Sequence, residues 1–304
     1  MTVRSVVDRL VVRTPLLSVA APYDLGRTLT CGQVFRWQWS GAVATGPFDG
    51  QVVQLTQDTA GIRVEGTRGL EELGRLRRYL GLDEPLVKIE RQLKRDPVLA
   101  QILPTTTGIA LMRQDPWECL ISFIISAFNN IPKVEQSIGR LIARFGEPRG
   151  GAGAPFPRPE RLAAAPLRAL QTCLVGYRAP YLQQVARQVV DGRVDLAAIG
   201  RLPTEEARAA LMRLPGVGDK VADCLLLFAY GKGEAFPIDV WVKRVVERRY
   251  FRGRPQTDRA IRASAAERFG PLAGYAQQHL YHYARTSTRF RGSRARRAED
   301  RRSP

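Results

Sequence analysis

The chain has no long apolar run. Its longest apolar stretches, such as Cys119 to Phe128 with two serines within it, fall well short of the roughly 20 residues that a helical membrane span needs. The N-terminal MTVRSVVDRLVV carries interspersed charges and no uninterrupted apolar core before a small-residue cleavage site, so secretion is not expected. Cysteine is scarce. The four present (31, 119, 173 and 224) are widely spaced, with no C-x-x-C pair and no four-cysteine cluster pattern, which argues against a zinc or iron–sulfur centre and suits reduced thiols in a cytosol. No metal and no other cofactor is expected. Lysine is scarcer than the basic character suggests, at six (88, 94, 133, 220, 232 and 243) of 47 basic residues. The composition of disorder is missing too: 304 residues with 44% hydrophobic and 25% charged content can build one or two packed domains.

What is there is positive charge. A formal net charge of +18 and a pI near 10.6 point to a polyanionic partner, because such an excess repels itself and attracts phosphates. From Arg285 onward eight arginines face Glu299 and Asp300, a net of +6, which leaves +12 for the preceding residues. The folded part is itself basic.

Up to about residue 68 the pattern is strand-like. VFRWQW (34–39), AVATGPF (42–48), QVVQLTQ (51–57) and GIRVEG (61–66) are separated by Ser-Gly, Asp-Gly and Ala-Gly turn signals and predict an antiparallel sheet. From Glu71 onward apolar residues recur at three and four, as in Leu73, Leu76, Leu80 and later Val134, Ile138, Leu141, which predicts a helix array. Residues 150–159 (GGAGAPFPRP) read as a loop within it, and the Arg-rich segment after Phe290 as disordered. Strands first and helices after is an α+β arrangement. The expected division is a β-rich domain with following helices over 1–108, a helical domain over 109–290, and a basic tail over 291–304.

Residues 213–245 read RLPGVGDKVADCLLLFAYGKGEAFPIDVWVKRV. Pro203 to Met212 predicts one helix, Leu214-Pro215-Gly216-Val217-Gly218 a tight turn, and Asp219 to Tyr230 a second helix. Gly216 and Gly218 leave backbone N–H groups unshielded at the mouth of that helix, a combination that binds a phosphate oxygen. Such a helix–hairpin–helix clamps a nucleic-acid backbone without reading sequence; a mere helix-to-helix turn is the alternative. Lys220 falls in the first turn of the second helix, beside the positive end of its dipole. There the ammonium form is disfavoured, so the amine becomes available as a nucleophile or Schiff-base former; the alternative is a solvated surface lysine. Asp239 precedes the amphipathic stretch Val240 to Arg249 and reads as a helix cap. A carboxylate there can also stabilise an oxocarbenium-like sugar.

These segments resemble the helix-hairpin-helix DNA glycosylase superfamily and, within it, the 8-oxoguanine DNA glycosylases. GQVFRW (32–37), LMRQDPWECLISFIISAFNNI (111–131), VGYRAPY (175–181), LPGVGDKVADC (214–224), PIDV (237–240) and YAQQHLY (275–281) carry the resemblance, in order, over most of the chain. It implies a TATA-binding-protein-like N-terminal sheet followed by a helical catalytic domain. The implied activity is a bifunctional glycosylase and AP lyase on double-stranded DNA containing an oxidised purine, acting as a monomer, off the membrane. The compartment would be the cytoplasm or nucleoid in a prokaryote and the nucleus in a eukaryote.

The resemblance also implies roles. Lys220 would attack C1′ of a flipped nucleotide and Asp239 would stabilise the developing positive charge. Cys224 and Tyr281 would sandwich the base; Cys224 alone reads as a buried thiol, and Tyr281 has a hydroxyl that needs a partner. Gln277 would read the Watson–Crick edge, where the alternative is an exposed helical glutamine. Gly32 would offer its carbonyl to the N7–H of the lesion, a donor that guanine lacks. Asn129 and Arg178 would fill the gap in the duplex and meet the estranged base, although in isolation both read as surface polar groups. Gly216, Gly218 and Trp241 would meet phosphates.

The sequence departs from the family pattern at Phe128-Asn129-Asn130, where eukaryotic members have three asparagines, and at Lys133 and Trp241, which stand for an arginine and a histidine. Looser discrimination of the base opposite the lesion is expected. Phe128 reads as a wedge in the duplex or as helix core, and the core is the expectation. Two other functions fit the hairpin: a superfamily glycosylase with a different lesion range, and a non-catalytic DNA-binding module.

Overall fold

Val53 and Leu55 lie two apart and both face inward, as side chains on a strand must, while Val52 and Gln54 between and before them face out. They belong to a five-stranded antiparallel sheet: β1 (Leu16–Leu17), β2 (Gln38–Ser40), β3 (Val43–Phe48), β4 (Gln51–Asp58) and β5 (Gly61–Glu65), in the order β1-β5-β4-β3-β2. The computed structural model describes residues 15–67, 69–147 and 154–287. Asp49 and Gly50 both take positive φ, the geometry of a two-residue hairpin turn, and set Phe48 opposite Gln51.

The strand expected over 34–39 forms only from Gln38. Val34, Phe35 and Trp37 are all buried, which a period of two cannot achieve, so this segment leaves the sheet and drops its side chains into the core. Phe35 meets the Phe123 ring edge-on at 5.5 Å, and the neighbouring Arg36 pairs with Glu118 at 2.8 Å.

The helical part follows from local signals. Pro116–Ser126 starts with Asp115 accepting from the Glu118 N–H at 2.8 Å and is buried along Cys119 to Ile125. Ile131–Phe145 is capped by Asn130. The two arms of the hairpin are Thr204–Met212 and Asp219–Phe228, and Val240–Tyr250, Asp258–Phe269 and Ala273–Thr286 follow. The two arms and Val240–Tyr250 agree with the expected helices to within two residues. Behind the hairpin the buried carboxylate of Asp223 lies 2.8 Å from Arg208 and 3.6 Å from Arg262, which also holds Asp219 at 2.8 Å. Three helices are thereby tied together, although burial pushes the Asp223 carboxyl up to about 6 against the pull of both arginines.

The last helix returns to the first part of the chain. His279 Nδ1 meets Thr106 Oγ1 at 2.9 Å, and Gln278 donates to the Cys31 carbonyl at 2.9 Å. Gly274 lets this helix approach Asp219–Phe228, because a Cβ there would overlap a Leu227 methyl group. One hydrophobic core runs from Leu17 to Ala284.

Residues 154–158 of the expected loop have no regular structure and Pro159 opens a short helix. The rest of that loop, the Arg-rich tail and the N-terminal MTVRSVVDRLVV lie outside the described residues. Among the described residues the four cysteines are free and buried, and no helix is long and apolar enough to cross a membrane.

Candidate active site

Leu214 and Val217 anchor the hairpin in the core, and between them Gly216 takes φ +79° against the Tyr181 ring. A Cβ on Gly216 would lie 2.8 Å from that ring, so both backbone sign and space call for glycine. Gly218 has extended backbone and open space where a side chain would be, leaving the helix mouth accessible.

The helix that follows is buried along Val221 to Phe228, and Lys220 is the partly buried cation at its start. It does not point into bulk solvent. Its Nζ donates to Ser126 Oγ at 2.9 Å and sits 4.9 Å from the centre of the Phe123 ring. Asp239 caps Val240–Tyr250 by accepting from the N–H groups of Trp241 and Val242 at 2.9 and 2.8 Å. Burial raises its carboxyl above the usual range, while those two N–H donors and the nearby Lys220 charge act the other way. One oxygen is committed to the cap. An amine beside a half-buried carboxylate can form an imine at a sugar carbon and steady a cationic sugar.

Four further expected residues converge here. Gly32 has φ +84° and the Tyr281 ring rests on it: a Cβ would lie 3.0 Å from Tyr281 Cε1 and its hydroxyl. Arg285 lies over the Tyr281 ring at 5.4 Å. Cys224 is buried one turn after Lys220, and burial pushes its thiol up to about 12. Gln277 is buried rather than exposed, and its Oε1 finds no hydrogen-bond donor among the described residues. A buried amide oxygen without a donor is costly in a folded chain.

The loop between Pro116–Ser126 and Ile131–Phe145 differs from expectation. Phe128 is fully exposed, not helix core, because the helix ends at Ser126, Ala127 is extended, and Phe128 takes φ +52°, which turns its ring outward. Asn129 is half-buried: its Nδ2 donates to the Ile125 carbonyl at 3.4 Å and its Oδ1 accepts from the Asn130 N–H at 3.1 Å. Arg178 is buried rather than a surface group, donates to the Ala127 carbonyl, and lies 4.3 Å from the centre of the Tyr177 ring. Lys133 is exposed on the next helix, and Trp241 is partly buried with Arg244 5.9 Å from its ring.

Residue-type reasoning did not single out Ser126, Phe123, Gln33 or Gln278. Ser126 and Phe123 hold the Lys220 amine from a segment about a hundred residues away, for which the sequence gives no local signal. Gln33 accepts from Met112 N–H at 3.0 Å and donates to the Thr28 and Ala110 carbonyls at 3.0 and 2.8 Å, and together with Gln278 it fixes the backbone around Gly32.

Residues 16–120 match the family model described as 8-oxoguanine DNA glycosylase, N-terminal domain, and residues 121–271 match that of the HhH-GPD superfamily base excision DNA repair protein. A probable N-glycosylase/DNA lyase of Methanothermobacter thermautotrophicus is 34% identical, over 63% of this chain and 68% of its own length. The N-glycosylase/DNA lyase of Saccharomyces cerevisiae is 32% identical, over 74% of this chain and 68% of its own. The 8-oxoguanine glycosylase/lyase of Clostridium acetobutylicum, solved with double-stranded DNA containing cytosine opposite 8-oxoG, superposes with a TM-score of 0.82 at 32% identity, covering 86% of this chain and 92% of that one. With its antiparallel sheet, its glycine hairpin and Lys220 in the first turn of the helix after it, this chain belongs to the 8-oxoguanine DNA glycosylase family of the HhH-GPD superfamily.

Proposed function

We propose that the chain is a bifunctional DNA glycosylase and AP lyase that removes 8-oxoguanine from double-stranded DNA in base excision repair. The observation that carries this reading is the Lys220 amine, hydrogen-bonded to Ser126 at the mouth of the glycine hairpin and near enough to Asp239 for its charge to act on that carboxyl.

The hairpin N–H groups of Gly216 and Gly218 grip a phosphate, with Trp241 beside them, and the damaged nucleotide is rotated out of the stack. Lys220 Nζ then forms a bond to C1′ as the N-glycosidic bond breaks, and the base departs with the bonding pair. The free oxygen of Asp239 faces the positive charge that develops on the sugar. Ring opening gives a Schiff base on Lys220, loss of the 2′ proton expels the 3′ phosphate, and hydrolysis frees the lysine. In the base pocket Cys224 and Tyr281 flank the purine, the Gln277 oxygen gains the donor it lacks, and the Gly32 carbonyl accepts from N7–H of 8-oxoguanine, where guanine would present a lone pair.

Residues 1–108 supply the sheet and Gly32, and 109–290 the lysine, aspartate and hairpin. The enzyme acts as a monomer, without a metal or cofactor, in whichever compartment holds the DNA. Lys133, a point charge in place of a planar fork, reads the opposite base weakly, with Arg178 retaining part of the discrimination. Incubation with duplexes carrying 8-oxoguanine opposite C, T, G and A tests the reading: release from all four at rates within about tenfold is expected, roughly the worth of one bidentate contact. Release of no 8-oxoguanine would refute the function, and release opposite C alone would refute the loose discrimination.

A further inference from the structure

Phe128 combines two unfavourable features that nothing among the described residues offsets. Its ring is fully exposed, and its backbone adopts φ +52°, a conformation that side chains other than those of Gly, Asn and Asp rarely take. The surrounding turn is nevertheless built firmly. The Asn129 N–H donates to the Ser126 carbonyl at 3.1 Å, the Asn129 side chain closes back on Ile125 and Asn130, Asn130 caps the next helix through the Lys133 N–H at 3.0 Å, and Arg178 holds the Ala127 carbonyl. Both asparagine side chains and the Ala127 carbonyl are committed to the turn's shape, and the shape presents one apolar ring. Ser126, two residues before that ring, holds the Lys220 amine. The ring is thus tied by a short stretch of backbone to the site of the Lys220 amine. Through Arg178 it is coupled to Tyr177, itself mostly exposed and set on a second irregular turn where Leu174 has φ +61°.

We propose that Phe128 inserts into the duplex and stacks in the space left by the extruded nucleotide, and that Asn129, whose amide is occupied in the turn, scaffolds this wedge rather than filling the gap itself. The proposal rests on the glycosylase reading. An aromatic ring holds a gap open by stacking on the neighbouring bases whatever their identity, and it has no hydrogen-bonding group with which to read the estranged base. Phe128 is a positioning residue: it stabilises the flipped state and takes no part in bond making.

The test separates base extrusion from the chemistry. Single-turnover release of 8-oxoguanine from duplex DNA, and borohydride trapping on a duplex whose site is already abasic, are measured for the wild type, Phe128→Ala and Phe128→Leu. The exposed ring makes both variants fold normally, which thermal melting checks. Phe128→Ala should slow release about tenfold or more, the loss of one stacked base. Phe128→Leu, an alternative wedge, should recover most of that rate, and trapping on the abasic duplex should stay within about threefold for both, a small fraction of such a stacking loss. Wild-type release by Phe128→Ala, or an equal loss of release and abasic trapping, overturns the proposal. A wild-type protein that neither releases nor traps would instead overturn the glycosylase reading.

Discussion

Asp239 caps a helix, and under the proposed function the same side chain steadies a cationic sugar; a substitution that keeps the cap parts the two. Asparagine is as good an N-cap as aspartate, so Asp239→Asn should melt within about 0.5 kcal/mol of the wild type. Its excision rate should fall about 10²- to 10³-fold, the scale of losing one preorganised electrostatic partner. The pH profile carries the same signature. Because burial raises the Asp239 carboxyl, its charged form is lost at a higher pH than for an ordinary aspartate. The acid limb of the single-turnover rate should therefore lie above the usual carboxylate range of about 4 and be missing in Asp239→Asn; a limb at the ordinary value would contradict the assignment. Gln277 gives the opposite pairing of effects. Its Oε1 lacks a donor, so Gln277→Leu should leave the melting temperature equal or higher while slowing release of 8-oxoguanine about 10- to 100-fold. At this scale the sequence was legible in local placement: Lys220 falls in the first turn of its helix and Asp239 caps the next one, where residue type put them. It was silent on burial: Gln277 and Arg178 read as surface groups and Phe128 as core, because exposure is decided by which distant elements pack over a position.

The hairpin helices were legible to within two residues because glycine, proline and polar caps act locally. The segment over 34–39 was not, because Val34, Phe35 and Trp37, two of them adjacent, are all claimed by the core. The packing of Ala273–Thr286 on Asp219–Phe228 sets the distance between Gln277 and Tyr281 and the lysine, and it depends on Gly274. Gly274→Ala must push the Leu227 side chain aside, and the Gly233 carbonyl leaves little room behind it. We expect a loss of about 1–3 kcal/mol in urea unfolding. Misplacement of Gln277 and Tyr281 should also raise the KM for lesion duplex more than it lowers kcat. Wild-type stability and KM would show that the helices tolerate a wider spacing. The Asp223 cluster acts at the same scale. Asp223→Ala leaves Arg208 and Arg262 without their buried partner and should cost about 3–5 kcal/mol, read as a lowered urea midpoint.

For the whole molecule, composition alone pointed to a polyanion, and the net charge of +18 sets how the protein meets it. Binding to undamaged duplex should weaken steeply and linearly in log–log form as salt rises, since each neutralised phosphate releases counterions. The α+β order was legible from strand signals followed by helical periodicity. The return of the last helix to Cys31 and Thr106, which closes the two halves around one core, left no local trace. Six ordered motifs made the family visible, whereas the contacts that hold the amine had to be seen in three dimensions. The central claim is that this amine bonds covalently to the sugar. Borohydride trapping on 8-oxoguanine duplex, wild type against Lys220→Gln, measures it most directly. The wild type should yield a covalent protein–DNA species and Lys220→Gln none, with the salt dependence of DNA binding unchanged between them. Trapping by Lys220→Gln would contradict the account.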